Sequence, residues 1–110
     1  DGGGVITDIE NNVATIPGNF ILNQNYPNPF NPKTIISYEL QVTSFITLKV
    51  FNIQGKEIKT LVNMKQNTGI YKIEFEGSDQ TSGVYFYRIE GVEESSGKSF
   101  LETKKMILIR

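Results

Sequence analysis

Histidine, cysteine and tryptophan are all missing from this 110-residue chain. Without cysteine there are no disulfides and no thiolate metal sites, so the fold must rest on hydrophobic burial and hydrogen bonding. Without histidine as well, the Ser-His-Asp and Cys-His nucleophilic arrangements cannot be assembled, and the ordinary His/Cys zinc sites are excluded. The lack of tryptophan removes the best side chain for stacking on sugar rings. Charge of one sign is missing too: 11 Lys and Arg stand against 12 Asp and Glu, a net charge of −1. No basic field exists to hold a phosphate backbone, so nucleic acid is not an expected partner. No apolar run approaches the roughly 20 residues that span a bilayer. The opening Asp1-Gly2-Gly3-Gly4 has neither the basic nor the apolar region of a secretory signal, and the expectation is a piece of a longer protein whose targeting signal lies upstream. Freedom from cysteine suits a life outside the cytoplasm.

What is present is enough for one domain, since a chain this long buries roughly 60 to 65 per cent of its unfolded surface. Residues 1–19 are rich in Gly, Asn and Asp and read as a linker with room for one short edge strand. Residues 20–110 form the domain. Three of its prolines, Pro27, Pro29 and Pro32, fall within six residues and impose an extended turn, because each fixes φ near −65° and biases the residue before it away from helix.

Beyond the prolines, short apolar runs alternate with turn residues. Ile36, Tyr38 and Leu40 share one face of 33–40; Ile46, Leu48 and Val50 share one face of 45–53. After the turn at Gln54-Gly55, 56–62 offers Ile58 and the pair Leu61-Val62. Asn67-Thr68-Gly69 leads into 70–76, where Tyr71, Ile73 and Phe75 oppose Lys72, Glu74 and Glu76; strands at 84–92 and 100–109 complete the series. Six or seven strands without a helical period predict an all-β, antiparallel sandwich.

Candidate chemistry is sparse. Glu74 and Glu76 would lie roughly 6 to 7 Å apart on one strand face, near the spacing of an inverting glycosidase pair, but adjacent acids on an outer strand face are the ordinary solvated side of a sandwich. Asp8, Glu10, Asn11 and Asn12 do not match the calcium-loop spacing, and 77–80 has the composition of a turn. No metal and no cofactor is implied. Tyr85, Phe86 and Tyr87, with Tyr71 and Phe75, could stack sugars, but aromatics in strands more often fill a sandwich core. The run Lys104-Lys105-Met106-Ile107-Leu108-Ile109-Arg110 combines basic ends with an apolar centre, the composition of a strand able to pair along a sheet edge.

Three stretches carry a family resemblance: Phe20-Ile21-Leu22-Asn23-Gln24-Asn25-Tyr26-Pro27-Asn28-Pro29-Phe30-Asn31-Pro32, then Ser82-Gly83-Val84-Tyr85-Phe86-Tyr87-Arg88, then Thr103-Lys104-Lys105-Met106. In this order, from Phe20 to Arg110, the chain resembles the type A C-terminal sorting domain of bacterial proteins exported by the type IX secretion system. It is also similar in texture to the immunoglobulin-like domain of flagellar hook-capping proteins. Phe75 stands where the family often has Trp, and Gln41 where Pro is common. The resemblance implies an immunoglobulin-like β-sandwich of about seven strands that directs an upstream cargo domain on the same polypeptide through the periplasm and the outer-membrane translocon to the cell surface or medium. It implies a sortase-like protease as second partner, with this domain as its substrate and the cut within or near 1–19. Catalytic residues are not expected. Recognition is assigned to Lys104, Lys105, Met106, Ile107, Leu108, Ile109 and Arg110. A structural role falls to Pro27, Asn28, Pro29, Phe30, Asn31, Pro32, Gly69, Tyr71, Gly83, Tyr85 and Arg88. Two other readings are a carbohydrate-binding accessory domain and a spacer. In the spacer reading an unpaired terminal strand would support a weak dimer by edge pairing.

Overall fold

The computed structural model describes residues 19–110. Seven strands are found among them: β1 (Phe20–Leu22), β2 (Lys33–Leu40), β3 (Ser44–Asn52), β4 (Glu57–Gln66), β5 (Gly69–Glu76), β6 (Gly83–Glu93) and β7 (Ser99–Leu108). They build two antiparallel sheets, one in the order β1-β2-β5 and one in the order β4-β3-β6-β7. The all-β immunoglobulin-like sandwich expected from the alternating pattern is the architecture observed. The linker read over 1–19, with room for one short edge strand, falls on 1–18, outside the described residues, apart from Asn19, a turn residue leading into β1.

The alternation explains the layering. Ile36, Tyr38 and Leu40 of β2 face Ile46, Leu48 and Val50 of β3 across the interior, and Tyr85, Tyr87 and Ile89 of β6 lie beside them; all are buried. Phe75 is buried, whereas Tyr71 and Ile73 are half-buried against the same core. Each large side chain removed from water in this way contributes about 1.5–3 kcal/mol. The limits of β2, β3, β5, β6 and β7 agree with the sequence reading to within two residues; β1 is not read as a strand there, and β4 is expected over 56–62. It continues because Met64 and Lys65 still pair with Ile46 and Phe45, although Met64 is exposed and so contributes no clear alternation.

Gly55 is required by its turn. It holds φ at 85°, in the left-handed region that side chains with a Cβ resist, and its N–H donates to the Asn52 carbonyl at 2.9 Å. The Asn52 carboxamide oxygen accepts from the N–H of Gln54 and of Lys56, so one side chain closes the β3–β4 hairpin. Gly69 and Gly83 open β5 and β6.

The two sheets are tied along both of their long sides. On one side the buried Tyr38 hydroxyl donates to Gln66 Oε1 at 2.6 Å. On the other, where β1 and β7 are the sheet edges, Asn19 Nδ2 donates to Glu93 Oε2 at 2.6 Å and the rings of Phe20 and Phe100 stack with centroids 4.2 Å apart. Hydrogen bonds from Ser96 and Asn19 hold the Glu93 carboxyl below the usual carboxylate range.

Candidate functional site

The stretch assigned to recognition is the end of β7 and the residues that follow it. β7 is an edge of the four-stranded sheet, paired on its inner side with β6 from Gly83–Leu108 to Val92–Ser99. Its outer side meets the proline-rich segment. Phe30 N–H donates to the Ile107 carbonyl and Ile109 N–H donates to the Phe30 carbonyl, both at 2.9 Å, so Phe30 acts as a one-residue parallel strand beside Leu108. Ile107 N–H donates to Asn28 Oδ1 at 3.0 Å, and Gln24 Nε2 donates to the Lys105 carbonyl at 2.8 Å. Two of the three motif stretches, more than 70 residues apart in sequence, thus form one surface.

That surface is held from beneath by polar groups inside the sandwich. The Tyr87 hydroxyl, fully buried, donates to the Asn23 carbonyl at 2.7 Å and accepts from the Asn25 N–H at 2.9 Å. Buried Asn25 donates through Nδ2 to Thr34 Oγ1 at 2.9 Å and to the Pro27 carbonyl at 3.1 Å, and Thr34 donates to that same carbonyl at 2.9 Å. Gly77 N–H donates to the Pro32 carbonyl at 2.8 Å, and the Phe30 ring packs edge-on against Phe75 at 6.0 Å. The peptide bonds preceding Pro27, Pro29 and Pro32 are cis. Burial pushes the phenols of Tyr87 and Tyr38 up to about 12, because the ionised forms would lose their hydration.

The seven recognition candidates divide into two groups. Met106 and Leu108 are fully buried and belong to the core. Lys105 and Ile109 are exposed and Ile107 half-exposed, with Lys105 and Ile107 on the outer face of the sheet. Lys104 is half-buried on the inner face, its ammonium 3.5 Å from Glu102 Oε2. Arg110 secures the loop before β6: its N–H donates to Ser82 Oγ at 2.9 Å, and its guanidinium donates to the carbonyls of Gln80, at 2.6 Å, and Ser78.

Among the structural candidates, Tyr71 stacks on Tyr38 at 5.4 Å and its hydroxyl donates to the Asn67 carbonyl. Tyr85 donates to the Thr81 carbonyl at 2.6 Å. Arg88 lies on the outer face with Cζ 4.5 Å from the Phe51 centroid and Nε 2.9 Å from Glu90 Oε2. Asn31 and Pro29 are exposed.

Tyr85, Phe86 and Tyr87 do not make a stacking surface, because Tyr85 and Tyr87 point into the core while Phe86 is on the opposite face. Glu74 and Glu76 stand on the outer face of the three-stranded sheet opposite Ile35 and Lys33. No three His, Cys, Asp or Glu side chains converge to hold a metal among the described residues. Asp8, Glu10, Asn11 and Asn12 lie outside the described residues.

The reading from sequence did not single out Gln24, Asn25, Thr34 or the hydroxyl of Tyr87 as a group. Only the buried Asn within a proline-rich turn hints at such a network, because a buried carboxamide must find partners.

The sequence matches the model of a family described as the secretion system C-terminal sorting domain over residues 24–108. One similar solved structure is PorZ, an essential bacterial surface component of the type-IX secretion system of Porphyromonas gingivalis. It is 25% identical with a TM-score of 0.46 over 79% of this chain, and this chain spans 11% of that protein's length. No curated protein matches. The match covers the proline segment and every strand from β2 to β7, and by it the chain belongs to the family of type IX secretion system C-terminal sorting domains that its motifs resemble.

Proposed function

We propose that the type IX outer-membrane translocon reads this domain on the composite surface where residues 23–32 lie against 105–109. The observation that carries the reading is the set of hydrogen bonds from Gln24, Asn28 and Phe30 to Lys105, Ile107 and Ile109. They make the two motif stretches a single rigid feature, exposed at Lys105, Ile109, Asn28 and Tyr26. The fold is the non-catalytic handle of an upstream cargo, and cargo and domain pass through the periplasm to the cell surface or medium. There a sortase-like protease cuts within or near residues 1–19.

In this reading Lys105, Ile107 and Ile109 contact the machinery. Met106 and Leu108 act through the core, while Lys104 and Arg110 orient the strand and its neighbouring loop. Deleting 104–110 would therefore remove core side chains together with surface ones, so surface substitutions are the better test. A reporter fused to residues 1–110 is expected to be exported by a host with a type IX system. Lys105→Glu combined with Ile109→Asp should leave the melting temperature within about 2 °C, as expected for exposed sites, yet hold the reporter in the periplasm. Normal export of that folded double variant would sink the assignment.

A further inference from the structure

The chain enters the domain through a short strand whose first neighbour is held by a buried acid. β1 pairs with β2 at three positions, Phe20 with Leu40, Ile21 with Glu39 and Leu22 with Tyr38. So short a strand at a chain entry belongs to the part of a fold that opens most readily. Asn19, the residue before it, is bonded through both its main chain and its side chain. Its carbonyl accepts from the Gln41 N–H at 2.9 Å, and its Nδ2 donates to Glu93 Oε2 at 2.6 Å. Glu93 is 7% exposed, and a carboxylate so far removed from water must find donors.

The acceptor is built without help from Asn19. Glu93 N–H donates to the Lys98 carbonyl at 2.8 Å and Gly97 N–H to the Glu93 carbonyl at 2.9 Å, which closes the β6–β7 hairpin. Inside that hairpin Ser96 Oγ donates to Glu93 Oε1 at 2.6 Å and itself accepts from the Lys98 N–H at 3.2 Å. One carboxylate oxygen is thus fixed by its own hairpin, and the other is aimed at Asn19. Hydrogen bonds to an ionised acceptor are roughly twice as strong as neutral ones. A stop of a different kind follows β1. Asn23 N–H donates to the Ser37 carbonyl at 3.0 Å. The Asn23 carbonyl accepts from the Tyr87 hydroxyl at 2.7 Å, and that hydroxyl accepts from the Asn25 N–H at 2.9 Å.

We infer that Glu93 is a latch that sets where the linker ends and the domain begins. With Asn19 held, proteolysis is confined to bonds before Asn19. With the latch released, residues 19–22 leave β2 together, and cleavage reaches the Leu22–Asn23 bond and stops there. A protease takes its substrate as an extended segment, so a bond inside a paired strand is cut at a rate set by how often that strand opens. Release uncovers the buried side chains of Phe20 and Leu22, while β2 stays paired with β5 from Lys33 to Leu40. It also lengthens the linker by roughly 13 Å, the span of residues 19–22 at about 3.3 Å each. The bearing on processing rests on the reading that a sortase-like protease cuts within or near 1–19; the latch itself is tested without that protease and without a type IX host.

Chymotrypsin, which cuts after large apolar residues, reports on this segment. β1 offers it the Phe20–Ile21 and Leu22–Asn23 bonds, while Pro27 shields the bond after Tyr26. Asn19→Asp keeps the shape of the side chain but sets a second carboxylate against Glu93. In the whole chain near neutral pH it should speed cleavage at these two bonds about tenfold or more over the unsubstituted chain, because a hydrogen bond to a charged group is lost. The product should begin at Ile21 or Asn23 and resist further cutting on the same time scale. By hydrogen exchange the Gln41 amide should lose protection by a similar factor, while the Asn23 amide keeps its protection. Asn19→Ala, which removes the donor without adding a charge, should act in the same direction more weakly, and it keeps the test decisive if the aspartate variant does not fold. Equal cleavage of the two bonds in the variants and the unsubstituted chain, or joint loss of protection at Gln41 and Asn23, would overturn the latch.

Discussion

The two halves of β7 have the same backbone geometry, the same partner strand and nearly the same alternation, yet among the described residues one is covered along its outer edge and the other is not. Over 105–109 the outer edge is occupied by Gln24, Asn28 and Phe30, and the side chains beneath, Met106 and Leu108, are fully buried. Over 99–103 no described residue hydrogen-bonds to the outer edge, and the inner face holds half-buried Phe100 and Glu102. That the end of the strand becomes core and composite surface is decided by a turn more than 70 residues upstream. The covered half is thereby suited to being read as a shape.

The comparison breaks most severely if the cover is torn away. Phe30 is 1% exposed, and Phe30→Ala should cost about 3–5 kcal/mol by cavity formation. It should also free the amides of Ile107 and Ile109 to exchange with solvent; unchanged protection of these two amides would show that packing of Phe30 does not hold the cover in place.

Next is the support beneath the cover. Tyr87→Phe removes a hydroxyl that serves both Asn23 and Asn25 and should cost about 1–3 kcal/mol in urea unfolding. It also predicts a pH dependence. The phenols of Tyr87 and Tyr38 stay neutral in the folded chain to about 12, while unfolded phenols ionise near 10. The unfolded state loses its protons first, so this stability is fully present below pH 10 and is lost as pH rises from 10 to 12. Tyr87→Phe should shrink the alkaline loss substantially, and an equal loss in the variant would show that Tyr87 does not contribute to it.

The other half has its own weak point. A Cβ at Gly91 would come within 2.0 Å of the Phe100 ring, which lies across the glycine and stacks on Phe20. Gly91→Ala should cost about 1–3 kcal/mol by overpacking, and it should disturb Phe100 while leaving the Ile107 and Ile109 amides protected. Loss of protection at both ends of β7 would mean that the halves are not independent. The smallest effect is expected from Asn28→Ala, which removes one exposed hydrogen bond to Ile107 and should cost about 0.5–1 kcal/mol in thermal melting.

Much of this architecture was legible from residue order. Alternation in 33–40, 45–53 and 70–76 identified the inward side chains, since a pleated strand turns every second residue to the same face. The order of the three motif stretches identified the family. The β4 strand was underestimated because Met64 and Lys65 pair in the ladder without burying a side chain, and pairing leaves no hydrophobic signal of its own.

The sequence by itself determined that this is an all-β domain without histidine or cysteine, and which faces of its strands are apolar, because these follow from composition and a period of two. Only the tertiary structure decided which strand edge the proline segment covers and which members of the stretch 104–110 reach the surface. Tyr87 and Asn25 position the proline segment against β7, a contact between distant parts of the chain that no local pattern encodes. That contact sends Met106 and Leu108 inward under Phe30, leaves Lys105 and Ile109 outside, and stops short of Thr103.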